Sequence, residues 1–201
     1  MNMNTRKNLA AAVVAATMML SVSGMASAGT FHFTGNIANH NDVITTSFTL
    51  DADATDVRVW TDSFQSATNF DPITALWNAS TGELIAQNDD NASVNPATQT
   101  WFDSGFSLAS LAAGDYLFTV ATFANFAPGP NIANGFAYDN DAPIPLAVWC
   151  QPASHCDMGT YWSVWLDGVD RADPPNPTPE PASLALFGLA LAGLALRHKR
   201  S

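Results

Sequence analysis

Ala113-Gly114-Asp115-Tyr116-Leu117-Phe118-Thr119-Val120-Ala121-Thr122-Phe123 is the stretch that decides the fold class. Ala113-Gly114-Asp115 reads as a turn, since Gly and Asp tolerate the backbone angles a reversal needs. Tyr116 to Phe123 is the most β-prone run in the chain, rich in aromatic and β-branched residues. Working outward toward the amino terminus, Phe102, Phe106 and Leu108 mark another strand. Ile73, Leu76 and Trp77 lead into the turn-rich Asn78-Ala79-Ser80-Thr81-Gly82-Glu83, and Leu84-Ile85-Ala86 returns as the second arm of a hairpin. Further back lie Val57, Val59 and Trp60, then Val43 to Leu50 with Ile44, Phe48 and Leu50, then Thr30 to Thr34 alternating around Phe31 and Phe33. Toward the carboxyl end, Pro128 to Pro145 is rich in Pro, Asn and Asp and reads as a long loop, and Tyr161 to Leu166 reads as the closing strand. Over residues 29–170 helical periodicity is weak and strand alternation frequent. The pattern predicts an all-β protein, an antiparallel β-sandwich or jelly roll over residues 29–170, with an inserted loop region at about 125–158.

Charge is distributed unevenly over the 201 residues. Arg6, Lys7, Arg197, Lys199 and Arg200 lie at the two ends, so residues 29–178 keep only Arg58 and Arg171 against seventeen acidic side chains, a net charge of −15. Nucleic-acid binding needs Lys and Arg on phosphates, so this balance argues against it. Two cysteines exclude a disulfide-dense scaffold and a four-cysteine zinc site.

The first 28 residues have the three parts of an export signal. Arg6 and Lys7 are the basic region, Leu9 to Leu20 is the apolar run, and Ala26-Ser27-Ala28 is the A-x-A cleavage site that would leave Gly29 as the new terminus. A domain folded outside the reducing cytoplasm can keep a disulfide. At the other end, Arg171 to Pro181 holds five prolines in eleven positions and reads as an extended linker over 171–178. Ala182 to Leu196 follows as an uncharged apolar run, a transmembrane helix about 22 Å long at about 1.5 Å per residue. Snorkelling Arg197 and Lys199 and local bilayer thinning make up its shortfall against a core of about 30 Å, and Arg197, Lys199 and Arg200 form a basic stop-transfer flank that favours a cytoplasmic tail.

Pro179-Glu180-Pro181, the apolar run and the basic terminus together resemble the PEP-CTERM sorting signal of Gram-negative bacteria. His198 within the basic cluster and Thr178 before the motif are mild departures. The resemblance implies an exosortase as partner, transient anchoring in the inner membrane, removal of the helix near Pro179-Glu180-Pro181, and delivery to the surface or extracellular matrix. Shorter pieces resemble the bacterial pre-peptidase C-terminal (PPC) domain family: Asn41-Asp42-Val43, Phe70 to Trp77, Leu84 to Asp90, and Leu111 to Tyr116. That second resemblance implies a β-sandwich accessory or binding module rather than a catalytic domain.

Candidate chemistry is sparse. No Gly-x-Ser-x-Gly or phosphate-binding loop occurs, and His32, His40 and His155 show no triad spacing. Cys150 and Cys156 admit two readings, a small-loop disulfide or a metal site with His155. Asn88-Asp89-Asp90-Asn91 is the sharpest acidic cluster, and Asp71 joins it if the hairpin folds as read. Hard oxygens in that pattern suit Ca2+, while the rival reading is turn chemistry, which Asn and Asp also favour. Asp139-Asn140-Asp141 is a weaker second candidate. Six tryptophans (Trp60, Trp77, Trp101, Trp149, Trp162 and Trp165) admit either a core or a sugar-stacking role. The leading expectation is a non-enzymatic, exported surface or matrix protein. The alternatives are a carbohydrate-binding or adhesive module on exopolysaccharide, and a secreted hydrolase using an acid pair that no local motif marks.

Overall fold

Two antiparallel sheets pack face to face in the computed structural model, which describes residues 28–152 and 155–177. The strands are β1 (Gly29–Asn36), β2 (Ile44–Leu50), β3 (Ala54–Thr61), β4 (Pro72–Asn78), β5 (Leu84–Asn88), β6 (Gly105–Leu111), β7 (Gly114–Thr122), β8 (Tyr161–Val169) and β9 (Arg171–Pro177). One sheet has the order β1-β8-β3-β6 and the other β5-β4-β7-β2-β9. The all-β sandwich read from the alternation is therefore the fold.

The side-chain period of two places one row of each strand inside. Tyr116, Phe118 and Val120 of β7 join Phe48 and Leu50 of β2 and meet Val57, Val59, Val164 and Leu166 from the facing sheet. β7 is the central strand of its sheet, flanked by β4 and β2, which is why the most β-prone run of the sequence lies there. β4 does not alternate, because both its faces are covered. Leu76 faces the main core, while Ala75 and Trp77 face outward and are covered by Ala127, Ile132 and Phe136. The Trp77 indole Nε1–H donates to Thr119 Oγ1 at 3.0 Å, so its buried polar atom is satisfied.

The segment expected as an inserted loop is thus part of the packing. It carries two short 3-10 turns, Ile132–Asn134 and Leu146–Val148, and Leu146 is fully buried in the main core. The backbone N–H of Leu84 donates to Pro130 O at 2.8 Å, so this segment also shields the exposed side of β5.

Two expectations need correction. Phe102 belongs to a turn before β6 and packs on Phe64 with ring centroids 5.0 Å apart, so the strand starts later, at Gly105. Residues 171–177, expected as a free linker, form β9 on the edge of the five-stranded sheet. Arg171, Ala172 and Asp173 pair with Thr49, Phe48 and Ser47, the register slips, and Asn176 and Pro177 resume opposite Thr45 and Ile44. Pro174 and Pro175 fall in that slip. An edge strand with a bulge tolerates residues that lack an N–H, which a central strand would not. The transmembrane helix expected over 182–196 lies outside the described residues.

Candidate functional site

Hairpin register builds the acidic cluster. Thr74 faces Asn88, Ala75 faces Gln87 and Leu76 faces Ala86 in the β4–β5 pair. The residue just before β4 therefore falls opposite the residues just after β5. Asp71, Asp89 and Asp90 each bring a carboxylate oxygen within 4.8 Å of the others. Asn88, the fourth sequence candidate, donates its amide to Gly105 O at 3.2 Å and so helps hold the loop to β6.

The three carboxylates differ in exposure. Asp71 is only 6 % exposed, Asp89 is half-buried and Asp90 lies at the surface. Asp71 Oδ2 lies 3.5 Å from the Gln151 amide, whereas Asp71 Oδ1 and Asp89 Oδ1 are buried without a hydrogen-bond partner. Burial pushes the Asp71 carboxyl up to about 7, and the neighbouring Asp89 and Asp90 push it the same way. Burial, then Asp90, raises Asp89; burial also raises Asp90.

Asp103 is a contrasting carboxylate of the same fold. It is fully buried. Its Oδ1 accepts from Phe64 N–H at 3.0 Å and Thr61 Oγ1 at 3.2 Å. Its Oδ2 accepts from Thr100 N–H at 2.8 Å and Thr100 Oγ1 at 3.0 Å. Four donors satisfy it, where Asp71 has one weak contact. Neither arginine of the described residues is available to the cluster. Arg58 Nη2 pairs with Asp167 at 2.5 Å and Arg171 Nη2 with Asp51 at 2.7 Å.

The other candidates resolve individually. Cys150 and Cys156 form a disulfide with an S–S distance of 2.00 Å, which consumes both thiolates and removes the Cys-His metal site. Asp139 Oδ2 accepts from Phe136 N–H at 2.9 Å within its own turn, and Asp141 lies 3.6 Å from His40, so the second acidic stretch is turn chemistry. His40 is buried, accepts at Nδ1 from Ile144 N–H at 3.2 Å, and packs near Tyr138 and Trp149. His32 stacks on Trp165 at 3.7 Å and hydrogen-bonds Ser163 Oγ at 2.9 Å. Trp60, Trp77 and Trp162 are buried, and Trp101, at 57 %, is the most exposed of the six. Sequence reasoning missed Gln151 and Asp103. Gln151 lies 80 positions from Asp71 and carries no local signal; Asp103 was legible only as one more acid.

Of the processing residues, Ala28 is exposed and Gly29 is the first residue of β1. Ala26, Pro179, Glu180, Pro181, Arg197, Lys199 and Arg200 lie outside the described residues. Among the described residues no helix is long and apolar enough to cross a membrane.

No curated protein and no solved structure matches the chain. Residues 177–200 match the PEP-CTERM protein-sorting motif. The match begins at Pro177, the last described residue of β9. The chain therefore carries a PEP-CTERM sorting signal, which makes an exosortase its processing partner and implies export across the inner membrane, transient anchoring there, and an extracellular or surface destination.

Proposed function

We propose that this chain is a non-enzymatic, PPC-like β-sandwich module that a Gram-negative cell exports, anchors briefly and releases to its surface or extracellular matrix. The observation that carries the reading is the fit of the folded unit between two processing signals. β1 begins at Gly29, directly after the A-x-A site, and β9 takes in the described residues up to Pro177, with Thr178-Pro179-Glu180-Pro181 next in the sequence. Cleavage at both signals would leave the sandwich whole. Two histidines support a structural role through their contacts: His32 is committed to Trp165 and Ser163, and His40 to Ile144 and the surrounding rings.

The test is fractionation of the native host with terminal sequencing of the chain, in wild-type and exosortase-deficient cells. We expect Gly29 as the amino terminus, a carboxyl terminus near Pro179-Glu180-Pro181 in wild type, and an uncut, membrane-held chain in the deficient strain. An uncut chain in the wild-type medium would overturn the reading.

Exposed Trp101 favours a second reading, an exopolysaccharide contact, because an accessible indole face can stack on a sugar ring. Glycan-array binding lost in Trp101→Ala would support it; an array signal equal in both proteins would remove it.

A further inference from the structure

We propose that Asp71, Asp89 and Asp90 form a calcium site that closes the open end of the β4–β5 hairpin. Two independent observations point to a cation there. Three carboxylate oxygens converge within 4.8 Å. One of them belongs to a side chain more than nine-tenths buried, and Asp71 Oδ1, like Asp89 Oδ1, has no hydrogen-bond partner. Leaving a buried carboxylate oxygen unpaired costs more than an ordinary hydrogen bond returns. Asp103 is the contrast, a buried carboxylate of the same fold that accepts four hydrogen bonds. The charge balance agrees, since Arg58 and Arg171 are paired with Asp167 and Asp51.

The donor set selects the ion. All three ligands are hard oxygens, with no imidazole or thiolate, which disfavours zinc and copper. Three carboxylates binding singly or bidentately provide three to six oxygens, and the exposed position of Asp90 leaves that side open to water. Ca2+ accepts six to eight oxygens in irregular geometry, whereas Mg2+ demands a near-ideal octahedron and gives up water reluctantly. The inference concerns the folded sandwich alone and does not depend on where the tail is cut.

The test uses the full chain, stripped with a chelator and titrated calorimetrically with CaCl2 in about 0.15 M salt, where long-range attraction is screened. The panel adds Asp71→Asn, the double change Asp89→Asn/Asp90→Asn, and Asp139→Asn/Asp141→Asn in the other acidic stretch. We expect one ion per chain with Kd in the sub-millimolar range of extracellular calcium modules. Binding should weaken at least tenfold in Asp71→Asn and in Asp89→Asn/Asp90→Asn and stay unchanged in Asp139→Asn/Asp141→Asn. Should Asp71→Asn fail to fold, the change of Asp89 and Asp90 on the loop decides alone. Absence of calcium heat in the parent, unchanged binding in Asp89→Asn/Asp90→Asn, or an equal loss in Asp139→Asn/Asp141→Asn would each overturn the site.

Discussion

Replacing Asp71 by Asn should stabilise the metal-free protein, although Asp71 sits in the core of the candidate site. In chelator, the native state must hold this carboxyl against burial and against Asp89 and Asp90, which lifts it from 3.8 to about 7. At about 1.36 kcal/mol per pH unit, that gap is worth about 4 kcal/mol at most. Below pH 3.8 the carboxyl is protonated in both folded and unfolded chains, so the burden is absent. Between 3.8 and about 7 the unfolded chain ionises first, and stability falls as pH rises; above about 7 the full burden is in place. Asn keeps an oxygen for the Gln151 amide and can offer N–H groups to Asp89. Allowing for relaxation, we expect a gain of about 2 kcal/mol at pH 8, or roughly 4–8 °C in Tm for a domain of this size. The assay is thermal unfolding of both proteins in EDTA between pH 4 and 8. The gap should open across that range and be smallest at pH 4. Ca2+ at 100 times the parent's Kd should narrow the gap by at least about 1.3 kcal/mol, because it adds about 2.7 kcal/mol to the parent and at most about 1.4 kcal/mol to a variant that binds tenfold more weakly. An Asp71→Asn protein no more stable than the parent at pH 8, or a gap that does not move with pH, would refute this electrostatic account.

Other outcomes follow from the same structure. The Asp167 carboxyl is held low first by the Thr30 hydroxyl and then by Arg58, so its contribution is present above pH 3.8 and lost as pH falls through the depressed value. Thr30→Val should therefore cost about 0.5–1 kcal/mol at pH 7 by chemical denaturation, and little once Asp167 is protonated. Replacing Cys150 and Cys156 by Ser should cost about 2 kcal/mol, the loop-closure value for a short ring, and reductant should reproduce the loss in the parent. Gly105→Ala should cost about 1–3 kcal/mol, because a Cβ there would meet Val59 O at 2.5 Å and Trp60 Cα at 2.6 Å; a fully stable variant would show that β3 and β6 can separate without penalty.

Sequence alone determined what depends on neighbours along the chain. Alternation around Phe31 and Phe33 and the β-prone run from Tyr116 to Phe123 are local signals that β1 and β7 follow, and the turn-rich Asn78 to Glu83 marks the hairpin that β4–β5 forms. The sorting signal is contiguous, so residues 177–200 were legible without any fold. Tertiary structure decided whatever depends on which neighbour covers a face. It paired the proline-rich 171–177 with β2, which local propensity opposes and an edge position permits. It buried Trp77 under Phe136 while leaving Trp101 exposed, a distinction that residue type cannot make. It joined Cys150 to Cys156 where spacing also allowed a metal. The hairpin predicted that Asp71 would approach Asp89 and Asp90. Only the packed molecule shows that Asp71 is buried there with an oxygen unpaired, because donors such as Thr61 Oγ1 and Phe64 N–H at Asp103 come from parts of the chain far from the carboxylate in sequence.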